Sequence, residues 1–258
     1  MSGRRRAIWL VAISILALTA CRRNPEQNYA SLIESGDRLL GKKEYVQAIL
    51  RYRGAVPLAP GNAEPLYKLG LAYLASGNIT DGVTALVKAT AIDPKHAGAQ
   101  IKLAELLAGS KDRNMLEEGR KRLQEVLSVS PADSDALTAL AVTESRLGNL
   151  SGAEEHLREA LRNSPASLKA AAVLARIRLA QKDSKGAEEI LQDAIQASPK
   201  SPDARLAMAE FLLLLNRPQD AEKELRSALE LDRKSVRAML GLAALASAAR
   251  REEEAARI

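Results

Sequence analysis

Prolines recur along this chain at an almost constant step: Pro60, Pro94, Pro131, Pro165 and Pro199 lie 34, 37, 34 and 34 residues apart. A period of this length confines a chain to a stack of supersecondary units, because one unit alone cannot bury its apolar face. Residues 63–96 show the unit most cleanly. Leu66, Leu69, Gly70 and Tyr73 form one apolar run and Leu86, Ala89 and Ile92 a second. Their spacing of three and four is the helical period. Gly77-Asn78 interrupts the pattern and Asp93-Pro94 ends it, so the unit reads as helix, turn, helix.

The same register runs through the chain in columns. In the first helix, a close-approach position holds Gly36, Gly70, Ala104, Ala141, Ala175, Ala209 and Ala243. In the second, a small position holds Ala48, Gly82, Gly119, Ala153, Ala187, Ala221 and Ala255. A large residue follows at Tyr52, Leu86, Leu123, Leu157, Leu191 and Leu225. One turn later come Ala55, Ala89, Val126, Ala160, Ala194 and Ala228. These columns place repeats at 29–62, 63–96, 97–133, 134–167, 168–201 and 202–235, with a partial seventh at 236–258. Ser134 and Ser201 stand where helix N-caps belong, and Pro202 suits a first helical position.

In its length, its Leu69-Gly70…Tyr73 core and its Asp93-Pro94 ending, the unit resembles a tetratricopeptide repeat. The resemblance covers about nine-tenths of the chain. It implies an all-α fold, a right-handed solenoid of stacked helix-turn-helix repeats. First helices then line the concave wall and second helices the convex one. Some positions depart from the pattern. Gln100, Arg205, Glu144 and Arg178 occupy first-helix sites that are usually apolar, and Arg233 replaces a proline. Repeat three has three surplus residues, assigned to the turn at 109–114 as a looser loop or a projecting contact. A basic cluster, Lys111, Arg113, Arg120, Lys121 and Arg122, lies beside that turn and reads as a solvated patch. Acid-to-base pairs four apart, Glu118–Arg122, Glu154–Arg158 and Glu222–Arg226, read as an exposed face of the second helices.

Residues 1–20 read as a targeting segment: Arg4-Arg5-Arg6, then an apolar stretch over 7–20. Fourteen helical residues span about 21 Å, less than a bilayer core, so a signal peptide is expected in place of a membrane-spanning helix. The segment ends in Leu18-Thr19-Ala20-Cys21, which resembles the lipobox of bacterial lipoproteins, and Cys21 is the only cysteine. The resemblance implies that Cys21 is lipidated and becomes the N-terminus. Arg22 follows where inner-membrane retention would favour Asp, which implies the outer membrane, facing the periplasm. Residues 21–28 read as a polar tether.

Loss of the segment carrying Arg4, Arg5 and Arg6, which contains no acid, leaves 35 basic against 32 acidic residues, a net charge of +3. That is too weak for a nucleic-acid partner, and aromatic residues make up only 3% of the chain. No catalytic or metal site is expected, and no cofactor. His96 and His156 lie in different repeats and read as surface residues, with no third ligand at metal spacing. The expected site is a groove for a protein or peptide partner, on the first-helix face away from the small column. It comprises Ile33, Asp37, Tyr67, Leu71, Leu74, Ile101, Glu105, Thr138, Val142, Ala172, Arg176, Leu206, Glu210 and Leu213. Its aliphatic stretches with scattered charges suit an amphipathic helix or an extended peptide. One subclass of the family grips a partner's terminal carboxylate with Lys, Asn and Arg. Here the matching positions hold Ile33, Asp37, Tyr67, Gly98 and Ile101, so that clamp is absent.

Two functions remain open on these grounds. One is a lipid-anchored, non-catalytic scaffold in envelope assembly, secretion, pilus formation or exopolysaccharide export. The other is an accessory or regulatory subunit of an enzyme whose catalytic part lies elsewhere. The seventh repeat stops at Ile258, before the Leu and Ala that close every earlier repeat. Further repeats, a partner or a second copy are therefore expected at that edge.

Overall fold

The computed structural model describes residues 25–249. The signal segment, Cys21 and the small-column residue Ala255 lie outside the described residues. Among those described there are thirteen α-helices and no strand: α1 (Pro25–Gly41), α2 (Tyr45–Ala55), α3 (Glu64–Ala75), α4 (Ile79–Ile92), α5 (Ala97–Ala108), α6 (Arg113–Val129), α7 (Ser134–Leu147), α8 (Leu150–Asn163), α9 (Leu168–Ala180), α10 (Ser184–Ala197), α11 (Pro202–Leu214), α12 (Pro218–Leu231) and α13 (Val236–Ala248). Odd-numbered helices are the first helices of the repeats and even-numbered ones the second. The architecture is an all-α solenoid of helix-turn-helix units. Contacts divide the described residues into two units, with the boundary between Leu103 and Ala104. Residues 25–28, assigned to the tether, are already helical, with Pro25 at the start of α1, where a missing N–H costs nothing.

The small columns are where helices meet. A Cβ on Gly70 would come within 2.8 Å of Leu86 Cγ and 3.2 Å of the Gly82 carbonyl oxygen. A Cβ on Gly82 would meet Leu74 at 2.7 Å. Backbone faces backbone here, so nothing larger fits without spreading the pair. The large column is buried throughout, from Tyr52 to Leu225. In the first unit, Tyr52 packs with Ala48, Leu69, Ala72 and Ala85. In the second, Leu157 packs among Leu137, Ala141, Val173 and Leu174, and Leu191 and Leu225 among Met208, Phe211 and Leu212.

Outside repeat three, the turns inside repeats share one geometry. Lys43, Gly77, Gly148, Lys182 and Asn216 all have positive φ, between 56° and 92°. The next residue's N–H then bonds back to a carbonyl five residues earlier, as in Asn78 to Tyr73 and Asp183 to Arg178. This is the left-handed ending by which helices satisfy their last carbonyls. The glycines announced it; Lys43 and Lys182 adopt it without a sequence signal.

Between repeats, a backbone turn closes at every junction, including Ser235 N–H to the Asp232 carbonyl at 3.0 Å. Arg233 therefore fits the proline position, because proline only presets φ there. The N-cap of α7 is Asp133, not Ser134: the Asp133 carboxylate accepts from Ala136 N–H at 2.9 Å. Ser134 Oγ instead donates to the Ala160 carbonyl. Ser201 caps α11 as expected. Repeat three places its surplus differently from the sequence reading. Its second helix, α6, has 17 residues against 14 in α4, α8, α10 and α12. Three residues are most of one helical turn. Asp112 caps this extension by accepting from Asn114 N–H at 2.8 Å.

Candidate partner-binding surface

In the second unit, α7 touches α9 and α9 touches α11, while the second helices make no comparable contact with one another. The first helices therefore form the tighter layer. Toward the C-terminal ends of α7 and α9, that layer opens into a cleft of about 280 Å³. Val142, Leu150, Val173, Ile177 and Ala180 make its apolar lining, with Ser145, Arg146 and Arg176 at its polar edge. Val142 and Arg176, expected in the groove, are thus brought together. Arg146 is engaged, donating from Nη2 to the Ser110 carbonyl at 2.8 Å. Arg176 is exposed.

Further along the layer, Leu213 is 41% exposed and its neighbour Leu214 70%. Glu210 accepts from Arg237 at 2.6 Å, and Arg237 also reaches Asp203. Glu105 pairs with Lys169 two repeats away, a strut from α5 to α9 past the intervening α7. Ala172 is half-buried.

Several expected groove residues are not available to a partner. Thr138 is 1% exposed, its hydroxyl donating to the Ser134 carbonyl. Leu206 is in the core around Phe211 and Leu212. Ile101 is buried. The helical period identifies which residues share a face, but packing buries part of that face.

In the first unit, the expected groove residues enter local packing and a polar network. Ile33 packs against the core that holds Tyr52 and Leu69. Leu74 covers Gly82. Leu71 is half-buried. Tyr67 lies against the His96 ring, 4.8 Å between centroids, and its ring fills the space beside Gly98. Asp37 accepts from Tyr52 Oη at 2.7 Å and from Lys68 Nζ at 2.8 Å. Burial and the Asp37 hydrogen bond push the Tyr52 hydroxyl well above its ordinary pKa. Burial opposes the Lys68 ammonium, but the bond and charge of Asp37, with Glu64, outweigh it and raise its pKa.

The histidines are not the exposed surface residues read from the sequence. His96 Nε2 lies 3.1 Å from Glu64 Oε2, while its Nδ1 caps α5 by accepting from Ala99 N–H. His156 is half-buried, with Nε2 3.5 Å from the buried Glu144. The four polar departures from the repeat pattern find partners in the same way. Gln100 donates to the Pro94 carbonyl at 2.8 Å, and Arg205 pairs with Glu224 at 2.9 Å. Arg178 reaches Glu154 at 3.1 Å and Asp183 at 3.2 Å.

Glu154 itself needs correction. Its side chain is only 11% exposed, so it is not part of a solvated face. It accepts from Arg158 and from Gln181, both at 2.7 Å, besides Arg178. Glu188, one repeat on, pairs with Arg217 at 2.7 Å. Glu118–Arg122 and Glu222–Arg226 form as expected. In the basic cluster, Arg113 and Arg120 both pair with Glu117.

No group of three His, Cys, Asp or Glu able to hold a metal occurs among the described residues. No described helix is long and apolar enough to cross a membrane.

The model of the cytochrome c-type biogenesis protein H TPR domain matches residues 18–156, just over half of the chain. Two further tetratricopeptide-repeat models match 138–202 and 178–234. No curated protein matches the sequence significantly. Among solved structures, the chain is similar to PilF of Pseudomonas aeruginosa: 16% identity, TM-score 0.59, over 84% of this chain and 98% of that one. It is also similar to PilW, described as a widely conserved type IV pilus biogenesis factor, at 17% identity and TM-score 0.63, over 84% and 99% of the two chains. A tetratricopeptide-repeat protein of Parabacteroides merdae aligns at 19% identity and TM-score 0.56, over 89% and 90%. At such identities the likeness concerns the fold. Repeats of this kind generally serve as protein-interaction scaffolds without catalysis of their own.

Proposed function

We propose that this chain, which belongs to the tetratricopeptide-repeat family described by the cytochrome c-type biogenesis protein H TPR domain, is a non-catalytic scaffold that holds an apolar peptide or helix of a partner protein on the first-helix layer of residues 104–258. The observation that carries this reading is the cleft between α7 and α9, where five apolar side chains lie beside the exposed cation Arg176. An apolar anchor with an acidic neighbour suits such a surface. Arg176→Glu with Ala180→Glu is expected to weaken partner capture at least tenfold, with helicity unchanged, since both side chains are exposed. The assay is a pull-down of the full chain from detergent-solubilised membranes, followed by mass spectrometry. Undiminished capture by the double variant would move the site elsewhere. A partner with enzymatic activity would favour the accessory-subunit reading.

The scaffold is anchored by lipid on Cys21 and faces the periplasm from the outer membrane. Leu18-Thr19-Ala20-Cys21 supports the anchor and Arg22 the outer-membrane address. Its task is assembly of an envelope machine. The names of the matched family and of PilF and PilW favour cytochrome c biogenesis or pilus formation over the other export routes. Val236 and Leu240, both more than 60% exposed on α13, support a further contact near that end with another repeat, a partner or a second copy. Cys21→Ala is expected to abolish incorporation of labelled fatty acid in cells; label entering the variant would remove the anchor from the proposal.

A further inference from the structure

The first unit carries a concavity of its own, on its second helices. It is a groove of about 340 Å³ between the second helices α2 and α4. Leu66, Leu69 and Tyr73 of α3, with Ala85 and Val56, supply apolar lining. Arg53, Lys88, Thr84 and Asp81 stand around it, all exposed. The volume lies within the range of ligand sites, roughly 300–1,000 Å³.

The register shows what is particular to the groove in this repeat. The Ala85 position holds Arg122, His156, Ile190 and Glu224 in the four repeats that follow. The side chains of Arg122, His156 and Glu224 take part in ion pairs there. At Ala85 only a methyl group is present. Charge changes at the same place. The Lys88 position holds Glu125, Glu159 and Asp193 in the next three repeats, so a cation stands here where those repeats carry an acid. Neither Arg53 nor Lys88 has a carboxylate partner among the described residues. Asp81, the one acid on the lining, is held by the Asn78 side chain at 2.7 Å in the first turn of α4.

We propose that the groove between α2 and α4 is a second docking site, which takes the C-terminal end of a partner peptide: its apolar last residue over Leu66, Leu69 and Ala85, and its carboxylate against Arg53 and Lys88. An apolar body with one terminal negative charge matches an apolar lining with two unpaired cations. A free C-terminus supplies both in one residue. This site is independent of the cleft between α7 and α9, shares no residue with it, and stands or falls on its own test.

The probe is a fluorescein-labelled hexapeptide, Gly-Ser-Gly-Ala-Leu-Leu, with a free C-terminal carboxylate, titrated into the purified full chain by fluorescence anisotropy. The amidated peptide is the comparison. Saturable binding of the free acid is expected, at least tenfold tighter than that of the amide and weakening as salt rises. Lys88→Glu restores the charge of the later repeats and is expected to weaken binding at least tenfold. Ala85→Arg, which places in the groove the residue found at Arg122, is expected to do the same. Lys88 is exposed, so its replacement leaves the core intact, and circular dichroism reports the fold of each variant. Equal binding of acid and amide overturns the carboxylate contact. Tight binding retained by a folded Lys88→Glu variant overturns the location. Binding of octanoate in the absence of peptide binding overturns the peptide as occupant.

Discussion

Leu157→Ala is expected to lower the stability of the second unit by about 2–5 kcal/mol, the range for emptying a fully buried leucine site. Leu157 has no exposed surface. It packs on α8 against Leu137 and Ala141 of α7 and against Val173 and Leu174 of α9. One side chain therefore closes both its own repeat and the joint to the next. The walls are poorly able to relax into the gap, because Ala141 and Ala153 already hold the helices at close approach. Stability in a stacked array is a sum of repeat and neighbour terms, so the loss is local first. Urea unfolding followed by hydrogen exchange checks this. The midpoint should fall, with the largest loss of protection over α7–α9. An unchanged midpoint would contradict the packing assigned to this column.

Glu154→Ala is expected to cost about 2–3 kcal/mol. Removing one partner of a buried ion pair commonly costs about 3–5 kcal/mol, because the other charge is left in poor solvent. Here the loss is smaller, since Arg178 keeps Asp183 at 3.2 Å and is 27% exposed. Gln181 also loses its acceptor. The effect should persist in high salt. Glu222→Ala, which breaks a more exposed pair with Arg226, should cost well under 1 kcal/mol. A double-mutant cycle with Arg178→Ala isolates the joint between repeats four and five. A coupling near zero would show that this pair does not hold the two repeats together.

Much of the architecture was legible in the residues because it rests on short-range constraints. Helices announce themselves by spacing within one turn. The interhelical approach is recorded as Gly or Ala at one position per repeat, as Gly70 and Gly82 demonstrate. Burial of Tyr52, Leu86, Leu123, Leu157, Leu191 and Leu225 followed from their place in the same register.

The candidate surfaces were less legible. Thr138, Leu206 and Ile101 were read onto the same helix face as Val142 and Arg176, yet the first three are buried and an opening forms at the other two. Glu154 and Arg158, four apart, have the spacing of a solvated pair, and only the arrival of Arg178 and Gln181 from the next repeat makes their site a joint. The surplus of repeat three was countable, but Asp112 capping α6 decided that it would lengthen a helix. The sequence by itself determined the helices, their order and the distance at which each pair meets, since these depend on residues within one repeat. The tertiary structure alone decided which polar groups pair between repeats and which faces stay open. Those outcomes depend on where side chains tens of residues apart are placed in space, and a periodic pattern carries no information about that.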